Sequence, residues 1–259
     1  MQEKMDATEL KLFLDEKVQQ YNNTNFIETD PVQIPHLFTL KEDAEIAGFL
    51  AATIAWGNRT MIIKNSKKMV ALMGDSPYDF VMNHKPHHLE PMETFVHRTF
   101  NGTDFSTFIA ALKNIYQNHC GLETVFAKNI RDNSLQPAIT AFKKTFFEIT
   151  HQQRTQKHVS DPMAGSAAKR INMYLRWMVR QDTAGVDLGL WKGIPAAALS
   201  CPLDVHSGNV ARKLGILTRR QNDAKALAEL DMQLRGMDAT DPVKYDFALF
   251  GLGVFEDWK

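Results

Sequence analysis

Two residues 35 positions apart carry the strongest chemical potential in the chain. The first is Lys169, at the end of Asp161-Pro-Met-Ala-Gly-Ser-Ala-Ala-Lys169, a turn running into a helix. Asp161-Pro162 is turn chemistry, and Gly165 and Ser166 can lead into a helix with free backbone N–H groups. Ile171, Tyr174, Leu175 and Met178 recur as an inward stripe, so a helix over 166–180 places Lys169 in its first turn or so. There the dipole and the N–H groups disfavour a protonated amine and attract a phosphate. A free amine is a nucleophile that forms Schiff bases. The competing reading is an ordinary surface lysine, which spacing alone favours.

The second residue is Asp204 in Cys201-Pro-Leu-Asp-Val-His-Ser-Gly-Asn-Val-Ala-Arg-Lys-Leu-Gly215. Val210, Leu214 and Leu217 form an apolar stripe and Gly215 is a natural stop, so a helix over 206–214 begins just after the aspartate. Asp204 is then either a capping residue, worth about 1 kcal/mol, or a carboxylate aimed at something that enters the site. His206 is a second polar group in the same mouth. Arg212, Lys213, Arg219 and Arg220 suit the helix's far end as well as they suit a phosphate backbone.

Positioning these residues requires a helical scaffold, and the apolar spacing supplies one. Thr8 reads as a cap for a helix carrying Leu10, Leu12, Phe13, Leu14 and Val18. Ile46, Phe49, Leu50 and Ile54 stripe 41–56, and a helix follows from about Thr60 to Gly74. Asp104 reads as the cap of the next, with Phe108, Ile109, Leu112 and Ile115 inward. Further helices fit 121–129, 137–150, 222–235 and 242–250. Pro35 and Pro202 favour short extended pieces near 34–39 and 201–203. The expected class is all-α, one compact helical unit over 1–259. The polar stretch His151-Gln-Gln-Arg-Thr-Gln-Lys-His-Val-Ser-Asp161 reads as a surface loop or lobe boundary near 151–161. It would separate a lobe of middle helices from a second lobe made of 162–259 and the N-terminal helices.

Composition narrows the partners. With 259 residues, 44% hydrophobic and 23% charged, the chain can bury a real core and is not a disordered type. Two cysteines, Cys120 and Cys201, cannot make a four-cysteine metal site. Neither a membrane span nor a signal-peptide core is visible, which sets the expectation of a cytoplasmic protein with no membrane partner. Net charge is zero, yet residues 151–220 carry 11 Lys/Arg against 4 Asp/Glu, so one face can meet a polyanion. His84, His87, His88 and His97, with Glu90 and Glu93, raise a metal-dependent hydrolase as an alternative. Pro86 and Pro91 break any shared helical face there, and a polar surface loop is the favoured reading; no metal and no cofactor are expected.

The two blocks resemble the helix-hairpin-helix DNA glycosylases and glycosylase/lyases. That family carries L-P-G-x-G-x-K-T-A, then an extended V-D-T-H before a helix beginning R-V. Here Pro162-Met-Ala-Gly165-Ser-Ala-Ala-Lys169 and Leu203-Asp-Val-His206, followed by Asn209-Val-Ala-Arg212, are similar. The run Ile46 to Ser66 is similar to the family's early helix pair, whose junction fills the gap left by an extruded base; Trp56, Asn58 and Arg59 match it. Asp241-Pro-Val-Lys-Tyr-Asp-Phe-Ala-Leu-Phe-Gly-Leu-Gly253 looks like the late closing helix. The chain is most similar to an uncharacterised bacterial group carrying Leu-Arg-Trp-Met-Val-Arg (175–180 here) and related Pro-Leu-Asp blocks, itself distantly like archaeal 8-oxoguanine glycosylase/lyases.

The resemblance implies a two-lobed helical fold, a degenerate hairpin, and excision of a damaged base, an oxidised purine among the candidates, with AP-lyase chemistry. Lys169 would be the nucleophile and Asp204 its carboxylate partner. Trp56, Asn58, Arg59, Gly165, Ser166, Arg176, His206 and Arg212 would contact the nucleic acid, and Trp56, Trp177 and Trp191 would be candidates to stack on a base, a contact worth about 1–3 kcal/mol, against a core or loop-anchor role. DNA is the expected partner, with RNA as the alternative polyanion and a non-catalytic nucleic-acid-binding protein as the alternative function. A C-terminal lysine reaches the base in some archaeal relatives, which makes Lys259 an additional candidate. The chain departs from the pattern at Ala167, which replaces a glycine, in the long insert 180–200, and at Asn209, where arginine is usual.

Overall fold

The computed structural model describes residues 5–256 and residue 258. The chain is mostly helical, the class its apolar periodicity demands. In chain order the helices are α1 (Ala7–Tyr21), α2 (Asn25–Thr29), α3 (Lys41–Thr53), α4 (Arg59–Leu72), α5 (Pro77–Asn83) and α6 (Gly102–Asn118). Then follow α7 (Leu122–Ala127), α8 (Gln136–Phe146), α9 (Lys169–Val179), α10 (Val205–Lys213), α11 (Ala224–Met237) and α12 (Tyr245–Phe255). Between α5 and α6 a two-stranded antiparallel ribbon, β1 (Val96–His97) and β2 (Phe100–Asn101), pairs His97 with Phe100.

Two caps lie upstream of their expected places. Asp6, not Thr8, opens α1: its Oδ1 accepts from Thr8 N (2.7 Å) and Glu9 N (2.9 Å), and Glu9 accepts from Asp6 N. Asn101 likewise caps α6 in a reciprocal box with Asp104. A carboxylate at the third helical position closes such a box, so it mimics a cap in sequence. The segment 34–39 is not extended, because Pro35–Leu37 forms a single 3₁₀ turn. The helices α2 and α5 are too short to show a stripe of their own.

Apolar side chains segregate into two main cores. The larger is aromatic: Phe49, Phe108, Phe142 and Phe146 interlock with ring centres 4.7–5.7 Å apart, and Tyr174 and Trp191 join them. It spans the middle helices and continues through α9 to Leu199. The smaller core is aliphatic and joins α1 to α10, α11 and α12 through Leu14, Val210, Leu230 and Leu252. Gly251 lets α1 cross α12 closely, since a Cβ there would stand 2.2 Å from a Tyr21 ring carbon. The larger core also takes in Val243 and Phe247, and the smaller takes in Ala167, so the two interleave along the sequence.

The stretch 151–161 is packed, not a solvated loop. Asp104 is fully buried and accepts from Arg154 Nη1 (2.7 Å) and Thr155 Oγ1 (2.7 Å), with His158 Nε2 at 3.3 Å. Burial pushes the Asp104 carboxyl up, but the hydrogen bonds from Thr155, Asn101 and Arg154 outweigh it and hold it below the usual range. Among the described residues, no helix is long and apolar enough to cross a membrane.

Candidate active site

A cleft of about 510 Å³ opens between the two cores. One side is α9 and the start of α4; the other is the α10 N-terminus and α12. Lys169 and Asp204 face each other across it, with Nζ 3.8 Å from Asp204 Oδ2. Their side chains are 27% and 23% exposed, so solvent and a ligand can reach both. The lysine also donates to Met173 Sδ at 3.4 Å, one turn along α9.

Local chemistry explains how each is aimed. Lys169 is the first residue of α9, three short of the expected 166 start, because Gly165 (φ 90) and Ala168 (φ 46) both take the left-handed conformation and bend the chain before it. Ser166 Oγ accepts from Ala168 N (3.1 Å), and Asn172 Nδ2 donates to Ala167 O (2.9 Å), fixing the bend. An alanine at that φ costs about 1–2 kcal/mol. Asp204 caps α10 with one carboxylate oxygen and turns the other toward Lys169. Its Oδ1 accepts from His206 N (2.8 Å) and Ser207 N (3.1 Å), while its backbone N–H donates to Ser207 Oγ. Its Oδ2 is the oxygen nearest Lys169.

The floor and walls bring in residues that sequence reasoning missed. Asp246 and Phe250 come from one face of α12, Phe26 and Asp30 from the α2 end, Arg170 and Met173 from α9. Phe26 meets Phe250 edge-on at 6.0 Å, and the Arg59 guanidinium lies 5.2 Å from the Phe250 ring centre. Asp246 is buried; that burial drives its carboxyl up to about 6, against Arg176 and with Asp204. The spacing Asp246, Phe250 (i, i+4) was visible in the sequence, but an apolar helix gives no sign of which face meets a cleft.

Of the expected contact residues, Trp56, Arg59, Arg176 and His206 line the cleft. Arg176 is not free to meet a nucleic acid: its side chain is 4% exposed and its guanidinium is bound by Asp187 and Asp246. Arg212 turns away to Arg219 O (2.8 Å) and Asn222 Oδ1 (2.6 Å), bracing the loop after α10. Asn58 is exposed beside the cleft and caps α4 through Met61 N. Gly165 and Ser166 lie outside the lining, paired with the start of α11 through Gly165 O and a Ser166–Asp223 bridge. Trp177 and Trp191 are fully buried core residues, so only Trp56 of those three reaches the cleft. Lys259 lies outside the described residues.

The histidine segment is divided. His97 turns inward against Trp56, ring centres 5.2 Å apart, while His84 and His88 pack on Phe80. No group of three or more His, Cys, Asp or Glu among the described residues is placed to hold a metal ion.

The profile of one protein family, described as "Protein of unknown function (DUF2400)", matches residues 30–255. No curated protein and no solved structure matches the chain.

Proposed function

The chain belongs to the DUF2400 family, and we propose that its cleft excises a damaged base from DNA by glycosylase/lyase chemistry. The observation that carries this reading is the Lys169–Asp204 pair, 3.8 Å apart in a cleft of about 510 Å³. That space is ample for one extruded purine or pyrimidine nucleotide. Phe26, Phe250 and Trp56 offer aromatic walls, and Asp30 and Asp246 offer acceptors on its floor.

In this reading Asp204 relays a proton from Lys169 to solvent and is itself ionised again when the free amine attacks the sugar C1′. The C1′–N glycosidic bond breaks and its electron pair leaves with the base, which takes up a proton. Asp204, oriented by the α10 N–H groups, faces the positive charge that develops on the sugar. Ring opening gives a Schiff base between C1′ and Lys169 Nζ. Loss of a C2′ proton then expels the 3′ phosphate and nicks the strand. The bent geometry before Lys169 serves this chemistry by holding the amine at the helix start rather than along its outer face.

The test is borohydride trapping on duplexes containing 8-oxoguanine, uracil, an alkylated base or an abasic site. The wild type is expected to form a covalent adduct and to cut the strand on at least one, and Lys169→Gln on none. Duplex binding without adduct or incision on any of them would instead support a non-catalytic nucleic-acid-binding protein.

A further inference from the structure

Cations in the cleft fall into two kinds. Lys169 has Asp204, and Arg176 has Asp187 and Asp246. Arg59 and Arg170 also line the cleft, and no carboxylate of the described residues lies within 4.0 Å of either guanidinium. Arg170 reaches the Trp56-Gly57 corner, where α3 gives way to α4, while the Arg59 side chain leaves that corner toward the Phe250 ring. The Arg170 guanidinium lies 4.7 Å from the Trp56 ring centre and donates to the Thr53 carbonyl at the end of α3. Arg59 is the first residue of α4.

A third arginine arrives from the ribbon. Gly57 has φ 102, and a Cβ there would stand 2.6 Å from Arg98 Nη1, so the guanidinium rests against bare backbone. No carboxylate partners Arg98 among the described residues either. The ribbon is pinned in place: Asn65 donates to His97 Nδ1 (2.8 Å), which leaves the ring proton on Nε2, facing the Trp56 carbonyl at 3.4 Å. The first turn of α4 contains no acidic residue, so the positive end of its dipole adds to the same corner.

Half-buried guanidiniums without counter-charges are costly, and burial lowers the Arg170 pKa to about 10. The chain's zero net charge gives no overall attraction to a polyanion, so anion binding here has to be local. Planar guanidiniums match phosphate oxygens in pairs, and an indole among them offers a stacking face for a base.

We propose that Arg98 and Arg170 form a phosphate seat at the Trp56–Gly57 corner, which takes the backbone phosphodiester next to a nucleotide held in the cleft. This rests on the nucleic-acid reading of the cleft and adds to it a defined contact. It also gives the ribbon a task, since its turn carries Arg98 to the corner.

The experiment is fluorescence anisotropy with a duplex carrying one tetrahydrofuran abasic analogue, over a range of salt concentrations. Arg98→Gln and Arg170→Gln are each expected to lower the slope of log affinity against log salt by about 0.9, and to weaken binding about tenfold. Arg98→Lys should keep the slope, because the charge stays. Arg170 also caps α3, so circular dichroism melting accompanies each variant; exposed Arg98 carries the test if Arg170→Gln fails to fold. Tight duplex binding with an unchanged slope in Arg98→Gln overturns the seat and leaves the nucleic-acid reading standing. A wild type that does not bind the duplex overturns both. Displacement of the duplex by deoxyadenosine 5′-monophosphate below millimolar concentration moves the ligand to a free nucleotide and overturns the strand assignment.

Discussion

The two ends of α9 carry cation–carboxylate pairs on opposite terms. At the C-terminal end Arg176 and Arg180 share Asp187, each at 3.1 Å, and Arg180 also holds Asp182 (2.7 Å) and Asp241 (3.0 Å). Arg176 binds Asp246, and the two guanidiniums lie 4.3 and 5.4 Å from the Phe247 ring centre. Every charge there is answered, as burial requires: an unanswered ion in that position would cost several kcal/mol. At the N-terminal end Lys169 and Asp204 stand 3.8 Å apart, beyond hydrogen-bond reach, with solvent access to both. One helix thus holds a closed lattice that fixes the lobes and an open pair with room for a substrate atom. Burial and completeness of pairing, not the presence of charge, separate the structural group from the one proposed to react.

That contrast makes testable demands. The largest effect should come at the open end: Lys169→Gln should lower the rate of borohydride trapping at least ~10³-fold, with the melting temperature nearly unchanged. If trapping survives, the open pair is not the reactive one. Arg176→Ala should do the reverse, destabilising the fold by about 3–5 kcal/mol in urea unfolding, because Asp246 and Asp187 lose a shared counter-charge. A small loss would mean the lattice is less closed than its geometry.

Asp204→Asn separates cap from chemistry within one side chain. Asparagine caps as well as aspartate, so stability should move by less than about 0.5 kcal/mol, while incision should fall roughly 10²-fold through loss of the charge facing the sugar. Equal losses of stability and incision would reduce Asp204 to a cap. Trp56→Ala should weaken binding of an abasic-analogue duplex by about 1–3 kcal/mol if the indole stacks on a base.

The smallest effect concerns pH. Asp246 is raised to about 6 in the fold from an ordinary value of 3.8. A carboxyl raised on folding contributes stability below the unfolded value and loses it as pH rises through the folded one. The melting temperature of Asp246→Asn, measured against wild type, should therefore shift in the variant's favour between pH 4 and pH 7, by about 2–4 °C for each kcal/mol recovered. A constant difference would place the titration elsewhere.

Local rules were sufficient for much of this. Apolar stripes on α1, α3, α4, α6 and α9 announce their helices, because a 3.6-residue period needs no knowledge of the partner surface. Lys169 at a helix start and Asp204 before a helix were equally legible, since turn and cap chemistry act over three or four residues. The caps of α1 and α6 were displaced because Asp, Asn and Thr all qualify locally; the reciprocal box decides among them.

What the sequence alone determined, then, is a helical chain with an amine and a carboxylate each placed at the start of a helix. Only the tertiary structure decided that these two helix starts meet across one cleft, that Arg176 is closed off by Asp187 and Asp246, and that Arg98 comes to Gly57. The reason is range. Helix periods and caps are set by neighbours within a turn, whereas partners such as Arg176 and Asp246, 70 residues apart, are chosen by the packing of whole helices.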